Sequence, residues 1–90
     1  MAGVVNPAAD PVAQAELEQR MLEVCLARTR VGVKPGHWQI FEANTLRGLS
    51  ATEVAKRFHT TSANVWVVRH RLIRRLRTEW QALLNEPFSG

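Results

Sequence analysis

Hydrophobic side chains recur along most of the chain at the three-and-four spacing of an amphipathic helix. The first such stripe follows Asp10 and Pro11, which supply an N-cap and a proline at the first helical position. The stripe consists of Leu17, Met21, Val24, Cys25 and Arg28. The pattern predicts a first helix over residues 11–29.

A second stripe begins after the segment VGVKPG at residues 31–36, which is expected to be a loop because it contains two glycines and a proline. Trp38, Phe41 and Thr45 lie in line at helical spacing and predict a second helix over residues 37–47. Gly48 then stands where a C-terminal cap belongs. Trp38 and Phe41 are expected to be core residues.

The next segment carries the signs of a short capped helix. Ser50 and Glu53 have the spacing of a capping box, and Leu49 with Val54 has that of a hydrophobic staple. These signals predict a helix over residues 51–58, a turn at residues 59–61, and a fourth helix over residues 62–84. No strand candidate occurs, so we predict an all-α fold: a compact four-helix domain containing a helix-turn-helix. The domain is expected to span residues 10–86, between a flexible tail or linker at 1–9 and a C-terminal tail at 87–90.

The fourth helix is predicted to have two different faces. One face is an apolar core stripe formed by Val65, Val68, Leu72, Leu76, Trp80 and Leu83. The opposite face carries Ala63, Val67, His70, Arg74 and Arg77, flanked by Trp66, Asn64 and Arg71. Arg69 falls along the core stripe, where it is expected to extend its charge to solvent or to pair with an acid such as Glu53.

Charge distinguishes the two ends of the chain. The formal net charge is +4, but residues 1–27 contain four acids and one base, whereas residues 69–77 contain five arginines and no acid. This distribution favours a nucleic-acid partner. Cys25 is the only cysteine, which excludes an intrachain disulfide. With no signal peptide and no apolar run of about 18 residues, we expect a cytoplasmic protein without a membrane partner.

Catalysis has little support in the sequence. The three histidines and Cys25 lack metal-ligand spacing, and no glycine-rich phosphate loop or activated nucleophile is recognisable. We therefore expect no enzymatic activity, no metal and no cofactor.

A short helix, a tight turn and a longer basic helix form the layout in which the last helix enters the DNA major groove. Its first turns then reach base edges and its later basic residues meet phosphates. Candidate base-reading residues are Ser62, Asn64, Trp66, Val67 and His70, with Arg71 and Arg74 at the boundary. Candidate phosphate contacts are Thr61, Lys56 and Arg57. The competing interpretation is that the arginines form only a solvated face.

These segments resemble a family, the C-terminal region 4 of sigma-70 type RNA polymerase sigma factors of the extracytoplasmic-function group. GLSATEVAKRF is similar to the first helix of its DNA-binding motif, ANVWVVRHRLIRRLR to its recognition helix, and VKPGHWQIFEANTLRGLS to the stretch that opens the region. The resemblance covers residues 10–84 and implies binding of the minus-35 promoter element and docking on the β flap of core RNA polymerase. It also implies an anti-sigma factor as a further partner.

The resemblance places Ser62, Asn64, Trp66, Val67, His70, Arg71 and Arg74 at the family's DNA-facing positions. His59 stands where the family often has glycine, at a site that can require a left-handed backbone. The family's region 2 does not fit in this chain, so we expect an isolated, monomeric C-terminal domain. Two alternatives remain: a stand-alone helix-turn-helix regulator that dimerises on a palindrome, and a protein-interaction module whose Trp66, Trp80 and Leu83 surface binds a partner such as an anti-sigma protein.

Overall fold

The computed structural model describes residues 10–86 and consists, over that range, of four helices without a strand. They are α1 (Pro11–Arg30), α2 (Pro35–Phe41), which continues as a π-helical segment (Glu42–Leu46), α3 (Ala51–Arg57) and α4 (Ser62–Leu84). The prediction of a compact all-α fold with four helices is confirmed. The predicted tails at residues 1–9 and 87–90 lie outside the described residues.

Side-chain caps fix three of the helix N-termini. Asp10 Oδ1 accepts hydrogen bonds from two backbone N–H groups of the first turn of α1, at 3.0 and 3.3 Å. Ser50 Oγ accepts from the Glu53 N–H at 3.1 Å, and Thr61 Oγ1 accepts from the Asn64 N–H at 3.1 Å. These bonds satisfy N–H groups that have no partner within the helix. The predicted starts of α1, α3 and α4 are confirmed.

The predicted capping box is only half formed. Glu53 does not return to the Ser50 backbone; its Oε1 accepts from Arg57 Nε at 3.2 Å, one turn further along α3. A salt bridge at this spacing competes for the same carboxylate. The helix also ends at Arg57, one residue earlier than predicted, with Phe58 as its C-cap.

The second helix differs from its prediction at both ends. It begins at Pro35, because a proline is well suited to the first helical position, where no N–H is needed. After Phe41 the helix widens, and the Arg47 N–H donates to the Glu42 carbonyl at 2.9 Å. The extra residue in this turn rotates the later positions. Asn44 is consequently buried, while Leu46 is 46% exposed.

Two residues with positive φ allow the chain to turn on each side of α3. Gly48 has φ 75° and follows the π-helical segment, as expected of a C-terminal glycine. His59, between α3 and α4, has φ 53°. The sequence-based expectation of a left-handed backbone at this histidine is confirmed. The Thr60 N–H then donates to the Ala55 carbonyl at 2.9 Å, which closes the turn.

The core lies where α2, the π-helical segment and α3 pack against the first half of α4. Its buried members are Trp38, Ile40, Phe41, Ala43, Val54, Ala55, Val65, Val68 and Leu72. Trp38 and Phe41 were expected there, and their rings lie 5.3 Å apart between centroids. Within the predicted α4 stripe, Leu76, Trp80 and Leu83 are only half-buried, and Trp80, expected in the core or between helices, lies between α1 and α4. The predicted stripe faces the interior, but its residues in the second half of α4 are less buried than those in the first half.

The helix α1 packs on α4 through its second half. Cys25 and Thr29 are completely buried, and the Thr29 hydroxyl donates to the Cys25 carbonyl at 2.7 Å. Burial raises the pKa of the Cys25 thiol. Beyond the end of α4, Glu86 Oε1 accepts from Arg28 Nη1 at 2.6 Å, and this bond raises the pKa of the guanidinium. None of the helices within residues 10–86 is long and apolar enough to cross a membrane.

Candidate nucleic-acid interface

The predicted outward face of α4 is exposed along its length. Val67 and Trp66 are each 47% exposed, and the polar and charged members of the face also reach solvent. A shallow groove runs along this helix and is lined by Trp66, Arg69, His70, Arg71, Ile73, Arg74 and Arg77. The structure thus brings together four of the predicted contact residues and adds Arg69, Ile73 and Arg77 to them.

The arginines of α4 are not neutralised by acids. The ion pairs among residues 10–86 join Arg28 to Glu86, Arg47 to Glu42 and Arg57 to Glu53. None of the five arginines in residues 69–77 has a carboxylate within 4.0 Å among the described residues. Uncompensated cations on one helix create a local positive potential, which attracts polyanions. The outward face of α4 is therefore a positively charged surface.

Trp66 and Arg69 form a stacked pair at one edge of this face. The guanidinium carbon of Arg69 lies 5.1 Å from the centroid of the indole ring. Such a cation–π contact at an exposed site is worth about 0.5–1 kcal/mol. Of the two expectations for Arg69, pairing with Glu53 is wrong, because Glu53 pairs with Arg57, whereas the half-buried Arg69 side chain lies over the exposed Trp66 ring. The contact covers part of the exposed Trp66 ring with the guanidinium group.

Hydrogen bonds from the preceding turn position the first residues of α4. Thr61 caps the helix, so the lone pairs of its hydroxyl are partly used by the Asn64 N–H, while its own O–H proton stays available as a donor. The side-chain amide of Asn64 donates to Thr60 Oγ1 at 2.9 Å. This bond uses one of two amide protons and leaves the Oδ1 acceptor and the second proton for a ligand. Ser62 is half-buried in the same turn.

The two phosphate candidates on α3 differ in their surroundings. Lys56 and Arg57 are both exposed near the C-terminal end of that helix. Arg57 is paired with Glu53, whereas Lys56 has no carboxylate within 4.0 Å among the described residues. A phosphate at Arg57 would have to compete with this carboxylate, so Lys56 is the better placed of the two.

The proposed tryptophan surface does not form one patch. Trp66 and Trp80 are separated by fourteen residues of the same helix, which is about 21 Å at a rise of 1.5 Å per residue. Trp80 lies in a different groove, with Leu22, Leu76, Arg77 and Gln81, between α1 and α4. The two tryptophans therefore line separate grooves, and a partner that contacts Trp66, Trp80 and Leu83 together stays a prediction.

A second groove is lined partly by nitrogen-bearing side chains that the sequence analysis did not single out, Lys34, His37 and Arg75. It lies between the α1–α2 connection and α4, and its lining includes Lys34, His37, Arg71 and Arg75. Lys34 and His37 are some forty residues from the α4 arginines in sequence, and no local pattern connects them. Only the packing of α2 on α4 places them side by side.

Within residues 10–86 no three side chains of histidine, cysteine, aspartate or glutamate cluster in a way that could hold a metal ion. Comparison of the chain with models of protein families, with curated proteins and with solved structures gave no match.

Proposed function

We propose that this domain recognises promoter DNA as region 4 of a sigma factor does, reading the minus-35 element through α4 and docking on the β flap of core RNA polymerase in the cytoplasm. The main support is that the five arginines of α4 have no carboxylate partner within residues 10–86. An arginine face that served only for solubility is commonly interspersed with acids. The order of α3, a tight turn and α4 agrees with a helix-turn-helix.

In this proposal the N-terminal half of α4 lies in the major groove. The Asn64 amide still offers one donor and one acceptor, the pair that recognises adenine at its N7 and N6 atoms. The exposed Val67 side chain can contact a thymine methyl group. Arg71 and Arg74 lie one and two turns further along, where a straight helix begins to leave the groove and meets the backbone.

The direct test is the affinity for a labelled duplex selected from a random-sequence pool, measured by fluorescence anisotropy at several salt concentrations. Arg74→Ala should weaken binding and lower the magnitude of the salt slope by about one unit, because one phosphate contact is lost. Asn64→Ala should weaken binding to the selected sequence much more than binding to an unrelated duplex.

The matched control is Arg20→Ala on α1. This arginine is exposed and lies in a groove with Glu16, Gln19 and Glu23, so the substitution changes the net charge equally but alters a different surface. Arg20→Ala should retain the affinity of the unmodified chain. Equal losses for Arg20→Ala and Arg74→Ala, or unaltered binding in both, would contradict a DNA interface on α4.

Stoichiometry separates the proposal from a stand-alone regulator. Sedimentation of the domain with the selected duplex should give one chain per duplex. A dimer on a palindromic sequence would instead favour the regulator. Docking on the polymerase is tested independently by titrating a purified β-flap fragment, which should bind without DNA.

A further inference from the structure

The groove between the α1–α2 connection and α4 has the composition of an anion site. Lys34 and His37 approach from the connection and the start of α2, and Arg71 and Arg75 approach from α4. Val68 and Leu72, both buried, contribute to the apolar part of the lining. No carboxylate of the part of the chain that the structure describes lines the groove. Four nitrogen-bearing side chains from two separate parts of the chain therefore converge without an internal counter-charge.

Arg75 gives this groove a fixed geometry. Its Nη2 donates to the Val31 carbonyl at 2.6 Å, which ties α4 to the connection that follows α1. Gly32, next in the chain, has φ 79° and turns the backbone toward Val33 and Lys34. One guanidinium N–H is used in this bond, and the other donors of the fork remain. The groove is thus held by a tertiary hydrogen bond rather than formed by independent surface side chains.

Arg71 connects this groove with the outward face of α4. It lines both the groove along α4, with His70 and Arg74, and the groove beside the connection. The positive surface therefore continues around the side of α4 to Lys34. A helix lying in a DNA groove has a phosphate backbone along its flank, so a cationic groove in this position faces a strand rather than the base edges.

We infer that Lys34, His37, Arg71 and Arg75 bind phosphodiester groups of one DNA strand beside the bases read by α4. This inference rests on the proposed function and adds a second element to the interface. Arginine forks and a histidine ring N–H donate directional hydrogen bonds to phosphate oxygens, while lysine supplies a compact charge. The contact fixes the position of α4 and carries no sequence preference of its own.

The test compares Lys34→Ala and the double variant Lys34→Ala/His37→Ala with the Arg20→Ala control, using the selected duplex and an unrelated duplex. Loss of one phosphate contact lowers the magnitude of the slope of log affinity against log salt concentration by about 0.9. The affinity of the variant relative to the unmodified chain is then about eightfold lower at 0.1 M salt than at 1 M salt. For Lys34→Ala we expect the same fold-change on both duplexes. A loss restricted to the selected duplex would overturn the inference, since it would indicate base readout.

A duplex carrying single neutral methylphosphonates locates the contacted group. Where the methylphosphonate replaces the phosphate that Lys34 contacts, it should weaken binding of the unmodified chain. On that duplex Lys34→Ala should cause no further loss of affinity. Additive losses at every position would overturn the inference. Lys34 is exposed, so each variant is expected to fold, and circular dichroism melting checks this.

The outcomes for the two proposals are distinguishable. If Arg74→Ala weakens binding while both Lys34 variants behave like Arg20→Ala, the groove inference fails and the proposed function stands. If Arg74→Ala has no effect either, the proposed function fails and the inference fails with it.

Discussion

The two long helices, α1 and α4, share a length of about twenty residues and an apolar stripe, but the chain uses them differently. Three side chains of α4 belong to the core (Val65, Val68 and Leu72), whereas only Cys25 and Thr29 of α1 are fully enclosed. On α1, Leu17 and Val24 remain 47% and 41% exposed. A periodic stripe therefore identifies the inward face of a helix, but the neighbours available determine how much of it is buried.

The same two helices also differ in how their charges are arranged. Glu16, Arg20 and Glu23 lie in one groove of α1, so opposite signs alternate there. In α4 five arginines are accompanied by the single acid Glu79, which forms no ion pair within residues 10–86. Mixed charge is sufficient for solubility, and the unbalanced charge of α4 is the feature on which the proposed DNA contact rests.

The largest expected effect is the difference in the free energy of unfolding between two leucine-to-alanine variants, Leu72→Ala on α4 and Leu17→Ala on α1. Leu72 is 6% exposed and Leu17 is 47% exposed. Leu72→Ala should lower the free energy of unfolding by about 2–5 kcal/mol, because it leaves a cavity and removes buried apolar area. Leu17→Ala should change it by less than about 0.5 kcal/mol.

Urea denaturation followed by circular dichroism measures both values. The slope of the unfolding free energy with urea concentration should be the same for the two variants. Comparable destabilisation by Leu17→Ala would show that the first half of α1 is buried in solution, and the contrast between the two helices would then be wrong.

Local signals predicted the helix starts well where a side chain forms the cap. Asp10 and Ser50 each stand directly before their helix and accept the expected bonds. The start at Pro35 was missed because the glycines on either side favoured a loop over a helix start. The π-helical turn was missed because the spacing of apolar residues does not distinguish it from an α-helical turn. Likewise, periodicity predicted the exposed face of α4, but the proximity of Lys34 to Arg71 depends on tertiary packing.

A smaller effect is expected from removing the caps of the two helices, by Asp10→Ala and Thr61→Ala. Each side-chain oxygen accepts a backbone N–H, so the local loss is similar. Thr61→Ala should lower the free energy of unfolding by about 1 kcal/mol, because Val65, in the first turns of α4 after this cap, is completely buried in the core. Asp10→Ala should have an effect below about 0.5 kcal/mol, because the exposed first turns of α1 can fray locally.

Hydrogen exchange separates fraying from global unfolding. With Asp10→Ala, amide exchange should become faster only in the first turns of α1, while the amides of α4 stay protected. With Thr61→Ala, protection of the core amides should decrease together. A global loss caused by Asp10→Ala would show that the two halves of α1 unfold as one unit with the core.

The smallest effect concerns Cys25, one of the two side chains of α1 that are completely buried. Burial raises the pKa of its thiol above the ordinary 9.0; Arg28 opposes the shift, and the carboxylates of Glu79 and Glu86 add to it. At alkaline pH the unfolded chain then loses its thiol proton before the native chain does, so stability decreases as pH rises. Relative to Cys25→Ala, the unmodified chain should keep a constant stability difference up to about pH 8 and lose at most about 0.8 kcal/mol of it by about pH 9.5.

Urea midpoints of both proteins measured at the two pH values give this difference, since other titrating groups are common to both. A difference independent of pH would mean that the thiol reaches solvent, and that α1 packs on α4 less closely than the structure has it.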